Sequence, residues 1–162
     1  MPELPLAQKK LREARFFCDR LQSARGEEFD YYLSAFLSAA RSAAFRVRFA
    51  LGSWDATDKW KATRSAADGD FFDGMTALRK AEVHNEGAPI SAEQVATPMP
   101  LPEASSNPAI YAALFQLGYF SSVKTYIDRH YVDLERERVE AVPACQRLAA
   151  LLDDLLGYIA KL

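Results

Sequence analysis

Cysteine and histidine are scarce in this chain of 162 residues, which holds two of each. This scarcity argues against sites that are built from several cysteines or histidines. Cys18 and Cys145 are too few and too far apart to predict a disulfide framework or a zinc site. Both lie on apolar helical stripes, so we expect reduced residues in the core. Since the sequence shows no cluster of metal-ligand residues, we expect neither a metal nor another cofactor.

Long apolar runs and a strong net charge are also missing. No apolar segment approaches the roughly 20 residues that a membrane-spanning helix needs. Residues 1–6 lack the charged-then-apolar layout of a secretory signal. We therefore expect a cytoplasmic protein without a membrane partner. The net charge of −2 argues against a protein that coats nucleic acid by bulk charge.

The charge that is present is distributed unevenly. Residues 41–80 carry eight basic and five acidic side chains, whereas residues 81–162 carry six basic and eleven acidic ones. The first of these segments is thus positive, which predicts a local basic surface able to receive a polyanion. The alternative is a solvated surface of mixed charge, which charge alone does not exclude. The residues of this predicted basic surface are Arg41, Arg46, Arg48, Lys59, Lys61, Arg64 and Arg79.

The apolar spacing indicates a protein that is all-α or nearly so, a bundle of four or five helices. It predicts helices over residues 6–24, 27–51 and 71–85, and a shorter one between Trp54 and Ala67. We expect a turn at residues 68–70, with Asp70 as the N-cap of the helix over 71–85. A last helix follows, with Pro143 in its first turn.

Proline-rich sequence interrupts this pattern once. Residues 86–108 hold five of the eight prolines, which predicts an extended loop within a single domain spanning residues 1–162. Residues 109–134 are ambiguous: 109–117 fit a helix, while 123–132 are rich in strand formers. A small β-hairpin near residues 119–134 is therefore one expectation for this segment.

A short pattern at the end of the helix over 71–85 carries candidate chemistry. Arg79-Lys80-Ala81-Glu82-Val83-His84 combines a permanent cation, suited to binding phosphate, with a side chain that exchanges protons near neutral pH. Structural alternatives exist for both residues. Arg79 is placed to pair with Glu82 at i, i+3, and His84 to interact with the last carbonyls of the helix.

In its order of features the sequence resembles the HEPN superfamily (higher eukaryotes and prokaryotes nucleotide-binding) of helical proteins, marked by Arg, four to six residues, then His. Residues 27–41 are similar to the long core helix of certain bacterial members. Trp60, residues 70–72 and the segment from Leu78 to Gly87 resemble the approach to the motif. The resemblance covers about residues 5–90. It implies a homodimer in which two copies of the motif helix build one composite ribonuclease site.

Within that resemblance, Arg79 is expected to stabilise the charged phosphate in the transition state, and His84 to act as general acid or base without a metal. Lys80, Arg41, Arg46 and Arg48 are the expected RNA contacts. A toxin–antitoxin or defence system, with an antitoxin as protein partner, is the implied setting. Lys80 stands where many active members carry Asn, Asp or His. The alternative is therefore a non-catalytic helical dimer that binds RNA, a nucleotide or a protein.

Overall fold

The computed structural model describes residues 3–53, 55–84, 90–98, 124–134 and 137–162. The described residues form five helices and one small sheet, so the predicted mostly helical fold is confirmed. The helices are α1 (Glu3–Leu21), α2 (Glu27–Leu51), α3 (Asp55–Ala62), α4 (Ala66–His84) and α5 (Ala141–Ile159), and the strands are β1 (Ile90–Pro98), β2 (Lys124–Asp133) and β3 (Arg138–Glu140).

The chain divides into two compact units. The first, residues 1–91 and 130–162, contains the five described helices, and the second is residues 92–129. The sheet has the strand order β1-β2-β3. No described helix is long and apolar enough to cross a membrane.

An antiparallel hairpin of α1 and α2 is the largest element of the helical unit, and α5 packs against both helices. The apolar stripes predicted from the sequence are buried as expected, because residues three and four apart lie on one face of a helix. Gly26 and Gly52 bound α2 with φ values of 54° and 67°, where other residues are strained. The predicted limits of α2, residues 27 and 51, are confirmed. The buried residues of the hairpin are Ala7, Leu11, Ala14, Cys18, Leu21, Phe29, Leu33, Phe36, Leu37, Ala39, Ala40, Ala43, Ala44 and Val47.

Helix α4 begins earlier than the sequence predicted. It starts at Ala66, so the turn expected at residues 68–70 and the N-cap expected at Asp70 are wrong. Ser65 provides the cap instead: its Oγ accepts a hydrogen bond from the backbone N–H of Asp68 at 3.1 Å and donates one to the Asp68 carboxylate at 2.8 Å. This Ser-x-x-Asp arrangement satisfies the backbone N–H of Asp68 at the start of the helix, which outweighs the low helix propensity of Gly69.

The region between α4 and α5 contains more strand than predicted. Residues 90–98, placed in the extended loop, form β1. The predicted strand over 123–132 is confirmed as β2, which pairs antiparallel with β3 in a register of Tyr131 with Glu140 and Val132 with Val139. The partner strand thus lies beyond the segment 119–134 expected to hold the hairpin. The helix considered for residues 109–117 lies outside the described residues.

The packing of α3 and α5 is centred on Trp60, which is fully buried. Its ring meets Phe72 of α4 edge-on at 5.2 Å, and its Nε1 donates to the Asp154 carboxylate of α5 at 2.6 Å. Trp60 thus anchors α3, the short helix predicted between Trp54 and Ala67, which ends at Ala62; Trp54 itself lies outside the described residues. Pro143 is in the first turn of α5, as expected.

Candidate functional site

The Arg-x4-His motif lies on one helix, at its end. Arg79, Lys80 and His84 all belong to α4, whose described residues end at His84. The backbone placement predicted from the sequence is therefore confirmed. The side chains of residues 79–84 lie outside the described part of the structure, so their roles and the alternatives for them stay predictions.

Arg41 links the long helix α2 to this motif helix. Its Nη1 donates to the backbone carbonyl of Thr76 at 3.3 Å, and its guanidinium lies 4.9 Å from the ring centre of Phe45. Thr76 precedes Lys80 by one helical turn. Among the residues that the sequence proposed for RNA contacts, Arg41 is thus packed against the motif helix.

The three arginines proposed on α2 do not form a single surface. On an ideal helix Arg46 is about 140° from Arg41, whereas Arg48 is only about 20° from it. Arg46 accordingly points to α1, where its Nη1 lies 2.8 Å from a carboxylate oxygen of Glu3. Arg48 is exposed on the Arg41 side of the helix.

Several other cations of the predicted basic surface are held by carboxylates. The Lys61 ammonium lies 3.2 Å from Asp58 and 3.1 Å from Asp73. Burial alone lowers the pKa of Lys61, but hydrogen bonds and charge from these two carboxylates outweigh it, and the pKa is raised. Arg64 lies 2.6 Å from Asp154. The surface between α2, α3 and α4 is consequently of mixed charge, the alternative that the sequence had left open.

A cavity of about 440 Å³ opens between α2, α3 and α4, and it contains part of this mixed surface. Its volume lies within the range of small-molecule sites. The lining combines charged, hydroxyl and apolar side chains, with Arg41 on one wall and the Asp58–Lys61–Asp73 group on another. The remaining lining residues are Ala44, Phe45, Thr57, Phe72, Thr76 and Ala77.

Thr57 is the unusual member of this lining. It is only 2% exposed, and its hydroxyl oxygen has no hydrogen-bond partner among the described residues. Buried hydroxyls in proteins almost always have a partner, because an unpartnered one loses its hydration without compensation. The sequence carries no signal for this burial of Thr57, because a threonine in the first turn of a helix is common and ordinarily solvated.

The second histidine belongs to a different part of the helical unit. His130, on β2, is half-buried, and its ring stacks on Phe29 of α2 with the two ring centres 3.7 Å apart. Cys18 and Cys145 are free thiols in the core, as expected. Within the described residues, no group of three or more His, Cys, Asp or Glu side chains is arranged to hold a metal ion.

Comparison of the chain with protein-family models, with curated proteins and with solved structures finds no match.

Proposed function

We propose that this chain is a HEPN-type ribonuclease that works without a metal, as a cytoplasmic homodimer. The observation that supports this best is the placement of Arg79 and His84 in the last two turns of one helix, α4. That helix is held on the long helix α2 by the hydrogen bond from Arg41 to the Thr76 carbonyl.

In the proposed chemistry, one motif residue stabilises negative charge and the other transfers protons. Arg79 binds the phosphate and stabilises the negative charge that grows on its oxygens. One His84 accepts the proton of the ribose 2′-hydroxyl as its oxygen attacks phosphorus, and a second protonates the 5′-oxygen that leaves. Two histidines in these two roles require two copies of the motif, which a homodimer provides.

The helical geometry favours a composite site over one within a single chain. Arg79 and His84 are about 140° apart around an ideal helix, so one narrow face does not present both. Where the ends of two such helices meet, the arginine of one chain lies beside the histidine of the other. Lys80 and the α2 arginines Arg41 and Arg48 are the proposed contacts to neighbouring phosphates. Arg46 is a weaker candidate because it pairs with Glu3.

Cleavage of mixed single-stranded RNA in the presence of EDTA tests the proposal. Because general acid–base catalysis contributes about 10²–10⁴-fold, His84→Ala should lower the cleavage rate by at least about 100-fold, and Arg79→Ala should have a comparable effect. Arg12→Ala is the matched control. It removes an exposed arginine from α1, which packs on α2 and α5, and it should cleave like the wild type.

Cleavage that survives both motif substitutions would show that Arg79 and His84 are not the catalytic residues. Light scattering at micromolar concentration should give a dimer, and a monomer would contradict the composite site. A gene for a nucleotidyltransferase-like partner beside this one would support the toxin–antitoxin setting.

A second candidate function is a non-catalytic helical dimer that binds RNA, a nucleotide or a protein partner such as an antitoxin. Two departures from the family's motif favour it. Lys80 follows Arg79 where many active members carry Asn, Asp or His, and Glu86 stands two residues after His84, where some toxin members carry Tyr and where a carboxylate would repel phosphate. In that case the wild type is inert in the cleavage assay. Its RNA binding, measured by fluorescence anisotropy, still weakens in Arg79→Ala and not in Arg12→Ala.

A further inference from the structure

The cavity between α2, α3 and α4 has a positive wall and a negative wall. On the positive side, within the described part of the chain, the Arg41 guanidinium makes one hydrogen bond, to the Thr76 carbonyl at 3.3 Å, and contacts the Phe45 ring. No carboxylate of the described residues forms an ion pair with it. A guanidinium has five N–H donors, so Arg41 retains donors for an anionic group.

The negative side of the cavity is the group of Asp58, Lys61 and Asp73. One ammonium lies between two carboxylates, at 3.2 and 3.1 Å, and the group therefore carries one excess negative charge. The two carboxylates are 63% and 60% exposed, while the ammonium is only 25% exposed. Because a carboxylate offers about four acceptor sites, these two still accept hydrogen bonds from a cationic group.

The formal charges of the lining residues sum to zero. A nucleotide phosphate carries about two negative charges, which Arg41 alone does not neutralise and which Asp58 and Asp73 repel. A zwitterion matches both walls, its anionic group at Arg41 and its cationic group at the carboxylates.

The rest of the lining indicates what surrounds the uncharged part of the ligand. Ala44, Phe45, Phe72 and Ala77 supply an apolar surface, and a volume of about 440 Å³ is ample for an aromatic side chain.

We propose that this cavity is a binding site for an α-amino acid with an apolar or aromatic side chain. The carboxylate of the amino acid binds Arg41, its ammonium binds Asp58 and Asp73, and its side chain packs between Phe45 and Phe72. This proposal does not depend on ribonuclease activity, because it uses none of the residues from 79 to 84; Arg41 is the one residue that it shares with the proposed RNA contacts.

Isothermal titration calorimetry on the full chain, with L-phenylalanine as the probe, tests whether the cavity binds an amino acid. We expect saturable binding with a Kd of about 1 mM or tighter. Phenethylamine lacks the carboxylate and 3-phenylpropanoate lacks the ammonium; each should bind at least about tenfold more weakly, since each loses one charge-assisted contact. These two analogues test both walls on the unaltered protein.

Variants assign the contacts to residues. Arg41→Gln should weaken L-phenylalanine binding about 10- to 100-fold, and Asp73→Asn should weaken it in the same direction. Arg12→Gln, an equal charge change on α1, should bind like the wild type. Absence of saturable binding to L-phenylalanine, L-leucine and L-tryptophan alike would overturn the proposal. So would an unchanged affinity in Arg41→Gln, or tighter binding of guanosine monophosphate than of any of these amino acids.

Discussion

Replacing Thr57 with valine should make the protein more stable. The hydroxyl of Thr57 is buried and has no hydrogen-bond partner among the described residues. Leaving such a group unsatisfied costs about 1–3 kcal/mol, and valine has nearly the same shape without the hydroxyl. Threonine and valine also have similar helix propensities, so the helix α3 is not affected through its backbone. We therefore expect the free energy of unfolding to rise by about 1–2 kcal/mol.

Urea denaturation followed by circular dichroism measures this change. The midpoint should rise by about 0.5–1 M with the slope unchanged, since the surface exposed on unfolding is the same in both proteins. In thermal unfolding, the same gain corresponds to an increase in Tm of about 3–6 °C for a chain of this size. The measurement is made on ligand-free protein, because a ligand that binds only the folded state would add to the stability of either protein.

Thr63→Val is the matched control. The Thr63 hydroxyl donates to the Trp60 carbonyl at 2.7 Å, so the same substitution there removes a hydrogen bond that is made. We expect that variant to lose about 0.5–1 kcal/mol. A loss of stability in Thr57→Val, or equal shifts in both variants, would refute the argument that the unpartnered hydroxyl is the cause.

Two further predictions follow from pKa shifts in the helical unit. Burial raises the pKa of the Cys18 thiol to about 11, and it raises the pKa of the Cys145 thiol well above its usual value. Neither thiol should therefore react with a disulfide reagent at pH 8 until the protein is unfolded. Rapid reaction of the native protein would contradict this prediction. The hydrogen bond from Arg147 lowers the pKa of Asp68, a shift that stabilises the protein above the unfolded value of about 3.9 and is lost as the pH falls through the folded value. Asp68→Asn should therefore have a lower Tm than the wild type at pH 7, and this deficit should shrink as the pH falls below the unfolded value. A deficit independent of pH would count against the ion pair.

An element of this fold is predictable from the sequence when residues within or beside the element determine its limits. Helix α2 was predicted to the residue, because a long apolar stripe ends at two glycines that the backbone needs at positive φ. The start of α4 was missed because two signals compete there. Asp70 before an apolar run resembles a cap, but Ser65 with Asp68 caps the helix a turn earlier. Strand β1 was missed for another reason, since residues 90–98 are paired in a sheet whose other strands lie more than twenty residues away.

The two candidate sites differ in the same way, since one is defined by a local sequence pattern and the other by the packing of helices. The motif at residues 79–84 is a local pattern, and its position on a single helix was predictable. The cavity was not, because it is formed by side chains from three helices, and no spacing in the sequence brings Lys61 to Asp73 or Arg41 to Thr76. The missing partner of Thr57 depends on packing around it and carries no sequence signal.

The ion pairs of the helical unit also limit which cations are available to bind RNA in the ribonuclease proposal. Of the cations that the sequence assigned to one basic surface, Arg46, Lys61 and Arg64 are held by carboxylates in the structure. A cation already paired with a carboxylate gains little by binding phosphate, because it exchanges one anion for another. RNA affinity in a single chain would then come chiefly from the few cations near the end of α4. In the proposed homodimer, a twofold axis at that helix end would double their number at one place, so these ion pairs are a further reason to expect the proposed activity from a dimer and not from a single chain.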